Sequence, residues 1–357
     1  MELMMDIAST VVGQMQKPTL AFLIGGMMLA ALGSKLEVPE PVYKFVVMLL
    51  LLKVGLSAGI SVREADLIAL AVPAVLAALV GISIVLVGAG TIARWRGVSQ
   101  MDGMATAGLF GAVSASTLAA SMAMLDAEGI SYEGFIGALY PFMDIAALVT
   151  AIVLARMAAA RKAAATQNAG GGTLTMGSGS GSSSGFGGGF DGKMIGTILR
   201  DTFQSAAISA LILGLALGIF ARPEAVFESF YEPLFRGLLS ILMLIMGMEA
   251  WSRLSELRKV AHAYVLYGLS APLIHGLLGF GAGLIAHHVT GFSAGGVVLL
   301  SVMAASSSDI SGPPTLRGAL PEANASAYVG SSTGLGTPVA ILSIPLWIWL
   351  ADLAIGI

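Results

Sequence analysis

The chain has 357 residues, 56% of them hydrophobic and 11% charged, which excludes an ordinary water-soluble globule, where about a quarter of residues carry charge. Its 18 Lys and Arg against 21 Asp and Glu give a net charge of −3 and no basic stripe, so nucleic acid is not a partner. With no cysteine, disulfides, zinc–thiolate sites, iron–sulfur clusters and cysteine nucleophiles are all excluded.

Apolar runs of roughly 20 residues have the length that crosses a bilayer, and ten can be placed along the chain. Glu2 and Asp6 precede the first run where a signal peptide would carry a basic region, so no cleavable leader is expected. Five spans are expected at 18–34, 42–60, 67–93, 103–124 and 134–160. Between Arg161 and Lys193 the stretches AGGG, GSGSGSSSG and GGGF hold too little apolar surface to order the chain, which predicts a flexible linker over 162–193. Five further spans are expected at 195–220, 234–250, 258–288, 294–319 and 326–354. The fold class is therefore an all-α polytopic membrane protein with ten transmembrane helices, five in residues 1–161 and five in residues 194–357.

The two halves resemble each other. The interval from Gly55 to Gly247 equals that from Glu64 to Glu256, 192 residues, and the same interval sets Ser114, Ser116 and Thr117 opposite Ser306, Ser308 and Asp309. Pro141 pairs with Pro338 after a small insertion. An odd number of spans per half makes the second copy enter the membrane from the other side, so the pattern predicts two inverted five-helix repeats. Chance similarity between apolar helices is the alternative. With the N-terminus outside, the inside loops collect Lys35, Arg94, Arg96, Arg161, Lys162, Lys193, Arg253, Arg258, Lys259 and Arg317. The outside loops keep Arg63, Arg222 and Arg236, and the loop with Asp126, Glu128 and Glu133 has no basic residue. The excess of positive charge inside sets the linker on the cytoplasmic face.

Chemistry concentrates in spans four and nine. In GLFGAVSASTLAASMAML the stretch from Gly111 to Thr117 weakens the helix with a glycine and three hydroxyls, which predicts a break there. In MAASSSDISGPPTLRGAL, Pro313 and Pro314 suit the first turn of a new half-helix with Ser311 or Gly312 as its cap, so the preceding half must end before them. Breaks at membrane depth are tolerated where they line a cavity. Their N-termini offer N–H groups to an anion, and their hydroxyls and carbonyl ends take a cation. Equivalent positions in the two halves predict that broken helices four and nine cross near the midplane and form one site. Asp309 is costly at that depth and needs a partner, for which a sodium ion suffices; a protonated or hydrogen-bonded structural Asp309, or pairing with Arg317, is the alternative. Close packing by small residues is the alternative for Gly111 and for Ser114, Ser116, Thr117, Ser306, Ser307, Ser308 and Ser311. Asp144, Lys53, Glu249 and His275 read as structural pairs or helix-end residues, the 19 methionines as packing, and His287 with His288 as an interfacial pair without metal-ligand company.

On these residues the sequence resembles the cyanobacterial sodium-dependent bicarbonate transporters, the SbtA family. The resemblance is carried by PTLAFLIGG from Pro18, GLFGAVSASTLAA from Gly108, ALYPFMDI from Ala138, PLFRGLLSILMLIMGMEAWSRLSELRKV from Pro233 and AASSSDISGPPTLRGALP from Ala304. Ala115 and Ala146 depart from the family pattern, which has glycine and proline there. The resemblance implies the inverted-repeat fold of bile-acid symporters and sodium/proton antiporters, a homotrimer, a gate domain of 18–60 plus 195–250 and a core domain of 67–160 plus 258–354. It places bicarbonate at Gly111, Ala112, Val113, Ser114, Ser306, Ser307, Ser308 and Asp309, and sodium at Ser116, Thr117, Ser308 and Asp309. It further implies a PII-like regulatory partner, SbtB, on the cytoplasmic side.

The function expected is sodium-dependent import of bicarbonate across the plasma membrane by alternating access, with no catalytic residue and no cofactor beyond co-transported sodium. A sodium/proton antiporter, a sodium-coupled organic anion symporter, a membrane sensor that binds bicarbonate without moving it, and an intramembrane aspartyl protease built on Asp144 and Asp309 are the rivals.

Overall fold

The computed structural model describes residues 18–64, 67–169, 200, 204, 206–257, 262–309 and 312–357. Among the described residues the chain is all helix, with no strand. The first half contains α1 (Pro18–Ala31), α2 (Glu40–Glu64), α3 (Leu67–Gly90), α4 (Gln100–Gly111), α5 (Ala115–Glu128) and α6 (Tyr140–Ala169). The second contains α7 (Ala206–Phe220), α8 (Glu232–Leu257), α9 (His262–Thr290), α10 (Ala294–Ala305), α11 (Gly312–Ala319), α12 (Ala325–Ser331), α13 (Thr337–Leu342) and α14 (Ile344–Ile355).

Seven of the described helical segments are long and apolar enough to cross a membrane, among them Gln100–Glu128 and Ala327–Ile355 as composite segments. Of the expected first, sixth and ninth spans, the described residues include the apolar helices Ala21–Ala31, Ser209–Phe220 and Ala294–Ala305, and residues 195–199 of the sixth lie outside them. The ninth ends early, at the break before Gly312. The fifth span runs past its expected end: α6 continues through Ala169, because Ala-rich ARKAAATQNA favours helix before the glycines begin. The rest of the expected linker, Glu2, Asp6, Ser311 and the side chains of Arg161, Lys162, Glu249, Arg253, Glu256, Arg258, Lys259 and Arg317 lie outside the described residues. The expected tenth span, 326–354, is interrupted as well. A π-helical turn at Ser332–Gly336 precedes α13, and Ser343 separates α13 from α14 where Pro345 withholds a helix N–H.

Burial sorts the helices. Within its most apolar window α4–α5 is 94% buried, against 39% for α3. On α3 the exposed residues Ile68, Val75, Leu79 and Leu86 form one stripe, and Leu266, Leu273, Leu277 and Ile285 do the same on α9. Stripes of this kind on a chain this apolar face lipid tails, whereas α4–α5 has protein on every side. The connecting loop after α5 is tied down from both directions. The Tyr132 hydroxyl donates to Asp126 at 2.9 Å, and burial together with the Asp126 charge holds that phenol above its usual pKa range. The Glu133 carboxylate accepts from the Ser293 N–H at 2.6 Å and from its hydroxyl at 2.9 Å, fixing the cap of α10 across the two halves.

Helix pairs in the two halves meet through glycine. Gly55 on α2 sits where any Cβ would strike the Leu211 carbonyl of α7, and Gly247 on α8 sits where it would strike the Leu23 carbonyl of α1. Backbones approach this closely only over glycine, which is how helices gain contact when lipid offers no hydrophobic drive. Gly55→Val and Gly247→Val are each expected to destabilise the protein by about 3 kcal/mol through overpacking, while Gly25→Val, with open space around that position, is tolerated. Thermal midpoints of the solubilised variants, read by size-exclusion chromatography, check the contrast.

Candidate functional site

The two breaks are built differently. Helix α4 ends at Gly111; Ala112 (φ −89°, ψ 154°) and Ser114 (φ −87°, ψ 120°) are extended, and α5 starts at Ala115. Ser114 caps α5, its hydroxyl accepting from the Thr117 N–H at 3.1 Å and from the Thr117 hydroxyl at 3.0 Å. A serine cap supplies the acceptor that the first turn lacks. The turn expected over Gly111 to Thr117 is thus shorter than anticipated, and Ser116 and Thr117 are helical. Helix α10 ends at Ala305, Ser306 is extended (φ −72°, ψ 172°), and the Ser308 hydroxyl accepts from the Gly312 N–H at 2.9 Å as α11 begins.

Three hydrogen bonds join the breaks. The Ser114 N–H donates to the Ser306 hydroxyl at 3.0 Å, the Ser308 N–H donates to the Leu109 carbonyl at 2.8 Å, and the Ser116 hydroxyl donates to Asp309 Oδ2 at 2.5 Å. The Ser114 and Ser116 hydroxyls lie 2.9 Å apart, and the Ser306 hydroxyl donates to the Met303 carbonyl at 2.7 Å. Ser114, Ser116, Thr117, Ser306, Ser307 and Ser308 are all buried, so these polar groups have each other and not lipid.

The expected site residues do not all converge. Ser114, Ser116, Ser306, Ser308 and Asp309 meet, with Thr117 behind them. Gly111 instead faces Val85 and Ala147, where an added Cβ would lie 2.9 Å from each, so its small size serves packing against α3 and α6. Ala112 joins the apolar cluster of Leu109, Ala147 and Leu316, and Val113 joins the main core; only their backbones border the break. Ser307 turns to the tenth span, its hydroxyl 2.9 Å from that of Ser332 and 3.5 Å from that of Thr337.

Ser332 and Thr337 were not singled out from the sequence. The hydroxyl- and glycine-rich run SSTGLGTP carried the signal, since it repeats the composition of the two breaks. Asp144 has a positioning role: its Oδ1 accepts from the Val113 N–H at 3.1 Å and so holds the first break from α6. The remaining candidates lie elsewhere. Lys53 stands 4.4 Å over the Phe235 ring, His275 packs in edge contact with Phe110 and Tyr267, and His287 Nδ1 meets the Phe292 carbonyl at 2.6 Å. No group of three or more potential metal-ligating side chains occurs among the described residues.

A half-buried carboxylate beside hydroxyls and helix-end carbonyls suits a hard monovalent cation. The first-turn amides of α5 ahead of Thr117, which the Ser114 cap does not take, suit an anion. By contrast Pro313 and Pro314 remove two such donors from α11, so the anion-facing character belongs mainly to α5.

If Asp144 positions the first break, Asp144→Ala leaves the buried Val113 N–H without its acceptor and costs about 1–3 kcal/mol, whereas Asp144→Asn keeps an oxygen in place and costs less. Thermal unfolding of both variants measures the difference.

Residues 18–352 match the family model described as the Na+-dependent bicarbonate transporter superfamily. A search of curated proteins returned no match to the chain.

Proposed function

Because the chain belongs to the Na+-dependent bicarbonate transporter superfamily, a family of transporters and not of enzymes, we propose that it imports bicarbonate together with sodium by alternating access. The observation that carries this reading is the set of hydrogen bonds between the two breaks, which brings one carboxylate, several hydroxyls and a helix N-terminus to one buried place. Sodium takes Asp309 Oδ2 and the hydroxyls of Ser116, Thr117 and Ser308. Bicarbonate takes the N-terminus of α5 around Ser114, with Ser306 opposite and the backbones of Gly111, Ala112 and Val113 closing the turn. Sodium also screens the anion from Asp309, since two unpaired negative charges in a poorly solvated site repel strongly.

The paired glycine contacts of α1 with α8 and of α2 with α7 support a reading as inverted repeats, in which these four helices form the gate and the rest form the core that carries the breaks. Sodium and bicarbonate moving one to one carry no net charge. The membrane potential then does no work, and a tenfold sodium gradient supplies about 1.4 kcal/mol, enough for tenfold accumulation. On the same reading the protein is a plasma-membrane homotrimer with its N-terminus outside. The segment 162–193 then faces the cytoplasm, where a PII-like regulator of the SbtB type binds. The distribution of Lys and Arg and the resemblance of the breaks support this.

Uptake of labelled bicarbonate into proteoliposomes across a sodium titration tests the site. The wild type is expected to require sodium. Asp309→Asn, which removes the charge and keeps the shape, raises the sodium concentration for half-maximal uptake roughly 10- to 100-fold, the worth of one charged ligand contact. Undiminished sodium-dependent uptake in that variant removes Asp309 from the site.

A further inference from the structure

Away from the breaks, a cleft of about 470 Å3 opens between α3, α4 and α6 at the end of the bundle that carries Arg94, Trp95 and Arg96. Its lining is two-natured. Arg94, in the connection between α3 and α4, and Gln100, at the start of α4, line it, and Met104, Leu154 and Met157 line it with apolar side chains. Among the described residues the Arg94 guanidinium has no hydrogen bond or ion pair. Gln100 is the first residue of α4, which Ser99 caps, so the first-turn amides add positive partial charge beside the guanidinium. The nearest acid on that helix, Asp102, is engaged elsewhere: its Oδ1 accepts from the Asn324 N–H at 2.7 Å.

The apolar wall does not end at the cleft. Met157 is 41% exposed, and Leu86 and Val87 continue an exposed apolar surface along α3 away from Arg94. Trp95, the next residue in the chain, is 44% exposed, and an amphipathic ring at the end of a membrane-spanning bundle settles between headgroups and tails. A soluble anion would use Arg94 and leave the methionine and leucine wall uncovered. A ligand with a phosphate at one end and a hydrocarbon chain at the other covers both.

We propose that this cleft is a binding site for an acidic phospholipid, its phosphate on Arg94 and the amides of α4 and one acyl chain along Met104, Leu154 and Met157. The site is independent of the transport pathway and makes no use of Asp309 or the serines. Basic pockets between helices at the membrane surface recognise anionic headgroups in this way.

Native mass spectrometry of the detergent-purified protein, with phosphatidylglycerol or phosphatidylcholine added, tests it. Phosphatidylglycerol is expected to bind in preference. Arg94→Gln lowers its occupancy about fivefold, the contribution of one basic residue near an anionic surface, while Arg94→Lys retains most of it and Arg96→Gln leaves it unchanged. Met157→Trp, which fills the wall, also displaces the lipid. Equal binding of the two lipids overturns the proposal, as does unchanged occupancy in Arg94→Gln. So does binding of inorganic phosphate that depends on Arg94 and competes fully with the lipid, which identifies a phosphate site without an acyl chain. A size-exclusion profile matching wild type establishes that each variant is folded.

Discussion

Inside a membrane a backbone that leaves the helix must find partners for its N–H and C=O groups from protein, because lipid supplies none. In this chain each of two interrupted helices solves the problem with the other. The Ser114 N–H goes to Ser306 and the Ser308 N–H goes to the Leu109 carbonyl, so each break completes its hydrogen bonding only when the opposite half is in place. The site is therefore a property of the paired halves. Neither half contains it alone.

That dependence explains where the other features lie. The helix carrying the first break is the most buried of the spanning segments, which keeps its hydroxyls out of hydrocarbon. Asp144 reaches in from α6 to hold the Val113 amide, Ser332 and Thr337 reach in from the tenth span to Ser307, and the glycines at 55 and 247 let the surrounding helices close. Proline shapes the asymmetry. Pro313 and Pro314 stop α10 from continuing into α11 and withhold donors from it, so helix-end N–H groups gather at α5 and the carboxylate at Asp309.

Much of this is legible in the residues themselves. A glycine followed by three hydroxyls within an apolar run, and a serine run followed by two prolines, mark places where a helix loses its interior bonding, and both helices do end there. The common interval between Ser114 and Ser306 foreshadows their hydrogen bond. Other parts are not readable from one strand of sequence. Gly111 has the composition of a binding loop, yet its side faces Val85 and Ala147, a matter of helix rotation that spacing alone does not give. Ser332 and Thr337 lie in a run that reads as one more apolar span; their role depends on a π-helical turn and on contact with Ser307, which is remote in the chain. The helical stretch beyond Arg161 was hidden because the glycine-rich segment that follows dominates the local composition.

If the two cargo ions occupy one site made by both breaks, each must change the affinity for the other by the same factor. The most direct measurement is equilibrium binding of radioactive sodium to the purified protein with and without bicarbonate, set beside binding of labelled bicarbonate with and without sodium. The account predicts that each ion tightens the other, by an equal factor of about ten or more. Independent affinities for the two ions would contradict it.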